Sequence, residues 1–112
     1  SSEEYSQGFS TLEGFVGIGV GIQQGSGGVL ISEVMRYSAA EEAGLQIGDL
    51  IIAVDGKDAT QMTNTEVAEL LRGKEGSSVN VTVRRQGREL TVTCVRRQVI
   101  RFMYPVKPWL TV

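Results

Sequence analysis

The sequence predicts a mainly β member of the α+β class: a small, partly open antiparallel β-barrel of five to six strands capped by two helices. Three observations lead there. Short apolar or alternating runs recur between turn residues, so strands dominate. Only two stretches carry helix-capping signatures. Most links are hairpin-sized, which favours antiparallel neighbours over the crossovers of a doubly wound sheet.

Composition narrows the chemistry. The 112 residues have room for one core, and 41% hydrophobic with 21% charged residues is the balance of an ordinary globule. No apolar run is long enough for a membrane helix, and no basic start with an apolar core suggests a signal peptide; an exported parent protein would carry its signal elsewhere. Cys94 is the single cysteine, so no internal disulfide forms. The absence of histidine removes His-based triads, His general bases and imidazole metal sites. No cofactor is implied.

Charge is uneven. Residues 1–56 hold one base, Arg36, against eight acids, and residues 57–112 hold ten bases against five acids. The basic half does not read as a nucleic-acid surface. Arg84, Arg85, Arg88, Arg96 and Arg97 cluster at the ends and turn of a hairpin, with no interleaved aromatic for bases to stack on. A solvated sheet face, or an interface to a neighbouring domain, fits them better.

Taken in order, residues 1–13 form a lead-in with Tyr5, Phe9 and Leu12 on one weak helical stripe, interrupted by Gly8. In Gly14–Gln23, glycine then alternates with bulky apolar residues. Gly17, Gly19 and Gly21 lack a Cβ and let another group approach the backbone, while Val20 and Ile22 continue as a strand. Alone, this run is open between a glycine-weakened strand and a turn of amides that accepts an anion or offers a sheet edge.

Gln24–Gly28 is a turn, and Gly28–Val34 a strand in which Val29 and Ile31 share a face that Val34 rejoins after an irregularity. Ser38-Ala39-Ala40-Glu41 is a capping box for a short helix ended by Gly44. Leu45 and Ile47 are expected to pack down before Gly48-Asp49. Leu50–Val54 reads as a central buried strand closed by Asp55-Gly56. Thr63-Asn64-Thr65-Glu66 is a second capping box, opening a helix through Leu71 that stops at Gly73. Val67, Leu70 and Leu71 form its apolar stripe, and Ala68 beside them leaves a gap. Val79, Val81 and Val83 alternate with polar residues, Gln86-Gly87 turns the chain, and Leu90, Val92 and Cys94 alternate on the return, which puts Cys94 in the core.

This order and these residues resemble the PDZ domain family over most of residues 14–97. Gly17-Ile18-Gly19-Val20 looks like its carboxylate-binding loop, Ser38–Gly56 like its long Ser-Pro-Ala to Val-Asn-Gly core with Asp55 replacing the asparagine, and Met62–Gly73 like its groove helix. The early loop and the strand at Leu90–Val95 are similar to the permuted bacterial arrangement, in which no strand precedes the loop and the final strand fills the missing first place. The lead-in, the loop and Leu70–Val79 resemble the PDZ domain of C-terminal processing (tail-specific) serine peptidases. That resemblance implies an extracytoplasmic parent protein, in the periplasm or cell envelope. It also implies a domain that captures the end of a protein substrate and gates a separate serine–lysine catalytic core outside this chain.

On this reading the amides of Ile18, Gly19 and Val20 receive a peptide carboxylate, and the strand Val20–Gln24, with Gly21 and Ile22, pairs with the peptide. Asn64, Val67, Ala68 and Leu71 line the groove. Its terminal pocket, formed by Ile18, Val20, Ala68 and Leu71, should accept an apolar last residue, with room for one larger than valine. Asn64 stands where many relatives carry a histidine that selects Ser or Thr, so that preference should be weak. Leu70 is expected to serve the core.

Residues 98–112 fit poorly as a domain end, since Pro105 and Pro108 break regular structure. They are either a linker toward a protease core or a ligand whose Trp109-Leu110-Thr111-Val112 end enters the groove of a neighbouring copy. Competing assignments are weaker. Gly17-x-Gly19 lacks the third glycine of a dinucleotide fingerprint and leads into a strand. Ser77 and Lys74 sit in a turn without an evident oxyanion hole, and the Asn80-Val81-Thr82 sequon falls inside a strand. The remaining alternative is a structural docking or oligomer-contact module whose groove is filled internally. No nucleic-acid or membrane partner is expected.

Overall fold

Alternation sets the framework of the computed structural model, which describes residues 12–112. Its elements are β1 (Leu12–Gly17), β2 (Val20–Gly25), β3 (Gly28–Val34), α1 (Ala39–Ala43), β4 (Leu50–Val54), β5 (Lys57–Asp58), α2 (Asn64–Leu71), β6 (Ser78–Arg85), β7 (Arg88–Val95), β8 (Arg97–Phe102) and β9 (Leu110–Thr111). In β6 the side chains of Val79, Val81 and Val83 are fully buried while Asn80 and Arg84 are exposed, as a half-buried strand requires. β4 lies between β3 and β6, and this central place explains its nearly unbroken apolar run.

The main sheet is antiparallel, in the order β7-β6-β4-β3-β2-β9, with β5 beside β4. β7 takes the outer edge next to β6, far from β2. A separate ribbon pairs β1 with β8, from Leu12 opposite Phe102 to Gly17 opposite Arg97. The sheets are open, as a PDZ-like fold requires, and do not close into a barrel. The strand segments outnumber the five to six expected because the ribbon, β5 and β9 pair with distant or very short partners that local periodicity does not announce.

The turns at Asp55-Gly56 and Gln86-Gly87 form as predicted, and the expected irregularity in β3 is a bulge. Gly21 faces Glu33 while Ile22 faces Ile31, which leaves Ser32 as the extra residue. Around the core, Ile22, Val29, Ile31, Ile51, Val54, Val81, Val83 and Cys94 pack into one cluster with α1 and α2.

Several expectations are corrected. Leu12 and Glu13 belong to β1, so a strand does precede the glycine loop, although in the ribbon and not in the main sheet. Tyr5 and Phe9 lie outside the described residues. Residues 98–102 are strand, because β8 finds its partner in β1, far away in sequence. Leu45 is buried, but Ile47 is 68% exposed, because the turn at Gly48-Asp49 carries it outward. Glu41 reaches one residue past the cap: its Oε1 accepts from Tyr37 N at 2.8 Å, because Ser38 N already donates to Met35 O.

Candidate functional site

The loop between β1 and β2 is Ile18-Gly19, and its polarity is set by its carbonyls. Ala40 N donates to Ile18 O and Met35 N donates to Gly19 O, both at 2.9 Å. With those carbonyls held on the α1 side, the amides of Gly19 and Val20 point the other way. They donate to Val112 O at 2.8 and 2.9 Å. Gly19 has φ +85°, and a Cβ there would overlap the Ser38 Cβ, so both backbone and packing demand glycine. Of the three amides predicted to converge, Gly19 and Val20 make these contacts, while Ile18 contributes its carbonyl to Ala40 and its side chain to the core.

The predicted groove contains the chain's own tail. β9 adds to the free edge of β2, with Gly21 opposite Thr111 and Ile22 opposite Leu110, and Val112 N donates to Val20 O at 2.8 Å. Strand alternation then separates two faces. Val112 is fully buried among the core cluster that holds Ile18, Val20, Ala68 and Leu71, and Leu110 packs against the same cluster. Thr111 and Trp109 face the other way, where Arg101 Nη1 donates to Thr111 Oγ1 at 3.4 Å and Trp109 Nε1 donates to Glu33 Oε1 at 3.0 Å. The tail reaches β2 of its own chain because β8 runs back along β1 and residues 103–109 reverse direction. Gly17 leaves room for this tail: a Cβ there would stand 2.7 Å from the Val112 carbonyl carbon.

The second wall is α2. Its start is a full capping box between Thr63 and Glu66, and Val67, Ala68 and Leu71 are buried on its inner face. Leu70 is partly buried against the core. Asn64 is half-buried at the first turn, where its amide donates to Gln24 Oε1 at 3.0 Å. Gln24 Nε2 donates to Met62 O at 3.0 Å, so this side chain ties β2 to the head of α2.

At the other end of α2, Arg96 was missed by sequence reasoning. It was grouped with a solvated basic face, yet it is 9% exposed. Its guanidinium donates to Leu71 O (2.9 Å), Leu70 O (3.1 Å), Ser77 Oγ (2.9 Å) and Ser78 O (3.2 Å). A cation on the last carbonyls of a helix satisfies orphan acceptors and complements its dipole. Arg85 is likewise used internally, pairing through Nε and Nη2 with the buried Asp49 at 2.8 and 2.7 Å. The fork-to-carboxylate hydrogen bonds raise the Arg85 pKa. Local sequence carries little signal for either role, because both partners lie far away in the chain.

Burial pushes the Cys94 thiol up to about 11, so it behaves as a core hydrophobe. No group of acids, cysteines or histidines among the described residues could hold a metal ion. No helix among them is long and apolar enough to cross a membrane.

Comparison with known proteins finds the same fold. The PDZ domain family matches residues 30–85. A probable CtpA-like serine protease of Staphylococcus haemolyticus is 36% identical over 85 residues, which are 76% of this chain and 17% of that protein. The carboxy-terminal processing protease CtpA of Bacillus subtilis is 38% identical over 73 residues, 65% of this chain and 16% of that protein. The chain thus spans only about a sixth of the length of these relatives. Among solved structures, the PDZ domain of a carboxy-terminal protease from Vibrio cholerae, determined in complex with peptide, superposes with TM-score 0.66 at 27% identity, covering 78% of this chain and 98% of that one. The photosystem II D1 C-terminal processing protease gives TM-score 0.70 at 27% identity over 80% of this chain and 24% of that one. The chain belongs to the PDZ domain family, and the proteins to which it is similar include C-terminal processing proteases.

Proposed function

We propose that the groove between β2 and α2 receives the C-terminal end of a polypeptide by strand addition. The amides of Gly19 and Val20 take the carboxylate, and the pocket of Ile18, Val20, Ala68 and Leu71 takes an apolar last side chain. The carrying observation is the seat of Leu110–Val112, which already occupies this edge with Val112 O on both amides. The Vibrio cholerae domain solved with a peptide supports the same use. Burying a valine-sized side chain contributes about 1.5–3 kcal/mol before ordering costs. In the parent protein this domain would recognise substrate and gate a separate serine–lysine peptidase core in the periplasm or cell envelope.

A second reading has the same observation in its favour: a docking module whose groove is filled by its own tail and binds nothing in trans. Titrating a labelled apolar-ended peptide, as free acid and as C-terminal amide, separates the two. Tighter binding of the acid supports the receptor. Equal binding of acid and amide removes the carboxylate site, and failure of excess acid to shift the emission of Trp109 leaves the internal-docking reading.

A further inference from the structure

We propose that Gly21 and Glu33, cross-strand partners on β2 and β3, form a subsite that selects an indole three residues before a bound peptide end. This rests on the peptide-end reading of the groove and goes beyond it by naming a ligand class: ends of the form Trp-Leu-x-Val.

Three observations meet at this place. Gly21 and Glu33 face each other in the β2–β3 register. A Cβ on Gly21 would overlap the Trp109 ring, so the missing side chain is what lets the indole lie against the strand backbone. The Glu33 carboxylate then accepts from the indole N–H at 3.0 Å. A hydrogen bond from a neutral N–H to a carboxylate is the stronger, charge-assisted kind. The glycine supplies room for a flat group, and the glutamate asks that group for a donor at its edge. Phenylalanine meets the first condition only, and alanine neither. Lys107 Nζ lies 5.6 Å from the indole centroid, but it belongs to the tail itself and adds no selectivity to the receptor.

Neighbouring positions have other readers. Val112 fills the core pocket, Leu110 packs against the core from the same face, and Thr111 meets Arg101. The indole therefore sits on the face of the added strand opposite the terminal pocket, where Gly21 and Glu33 bear on it without altering how the last residue is held.

The test uses the whole chain carrying Val112→Asp, which places a carboxylate in the apolar pocket and frees the groove. Labelled peptides ending Trp-Leu-Thr-Val, Arg-Leu-Thr-Val and Ala-Leu-Thr-Val as free acids, and the first as its amide, are titrated by fluorescence anisotropy. The Trp acid should bind at least about tenfold tighter than the Ala acid, and Glu33→Ala should remove most of that margin. Trp and Ala acids binding alike, both tighter than the amide, would overturn the subsite and leave the groove. An Arg acid as tight as the Trp acid would reduce Glu33 to a charge partner and overturn indole selection. Acid and amide binding alike would overturn the groove and the subsite with it. A separate measurement needs no added peptide, since Trp109 is the only tryptophan. In the otherwise unchanged chain, Glu33→Ala and Gly21→Ala should each shift its emission to the red and raise acrylamide quenching. Unchanged emission in both variants overturns the proposal even where no peptide binds.

Discussion

Arg96 donates from Nε to the carbonyl of Leu71 at 2.9 Å, which fixes the C-terminal end of the groove helix to the start of β8 by a buried cation. Leu71 also sends its side chain into the cluster that holds Val112, so one residue links the helix clamp to the seat of the tail. Removing the guanidinium leaves the carbonyls of Leu70 and Leu71 without their donor. Arg96→Ala should lower stability by about 2–3 kcal/mol, read as a lower urea midpoint at unchanged slope. Arg96→Lys should recover only part, because a point charge cannot reproduce the fork.

Gly19 combines a left-handed backbone with a closed space beside Ser38. Gly19→Ala should cost about 1–3 kcal/mol and turn its amide away from Val112 O. A heat-unfolding curve shifted down, with Trp109 more exposed in the folded state, is the expected pair of results. Emission identical to that of the parent chain would argue that the loop tolerates a side chain.

Val112 is fully buried within its own chain's groove. Val112→Asp should release the tail, since a charge in that pocket loses the apolar burial term and gains a desolvation cost. A tethered end competes with added peptide at high effective concentration. The variant should therefore bind an apolar-ended free acid with an apparent Kd lower by roughly 10- to 100-fold, the equivalent of the 1.5–3 kcal/mol that burial supplied.

Cys94 should resist alkylation in the native state at pH 8 and react promptly in urea. Its folded pKa is raised from 9.0 to about 11 by burial. Below 9.0 both states hold the proton and the thiol contributes no pH dependence. Between 9.0 and 11 the unfolded chain releases it while the folded chain keeps it, so stability falls as pH rises. Unfolding free energies from urea curves at pH 8 and pH 10 should differ by on the order of 1 kcal/mol more in the parent than in Cys94→Ala.

Much of this is legible in the amino-acid sequence. The capping box at Thr63–Glu66 and the turns at Asp55-Gly56 and Gln86-Gly87 act through neighbours within a few residues, and each formed as read. The glycines at 17, 19 and 21 announced close approach but not by what. Gly19 answers to Ser38, Gly17 to Val112 and Gly21 to Trp109, partners as far as 95 residues apart along the chain. Arg96 and Arg85 looked like surface charge because alternation assigns a face and carries no knowledge of a helix end or a buried Asp49 delivered from elsewhere. The ribbon of β1 and β8 escaped for the same reason. Its strands are separated along the chain by β2 to β7, and residues such as Ile100 and Phe102 remain exposed within it.

Gln24 sets a limit on what the proposed groove could recognise. Its amide is engaged on both sides, by Met62 O and by Asn64 N, two residues beyond the last β2 position that pairs with the tail. On the proposed reading an incoming chain lying along β2 would meet this crossbar after its fourth residue, and in this chain Pro108 stands at that point, without an N–H to offer. Under the proposed strand addition, such a slot would favour a polypeptide presented end first and for a few residues. On the proposed reading the domain would count from the terminus inward, and two proteins of unrelated sequence would become equivalent to it once their last few residues agreed.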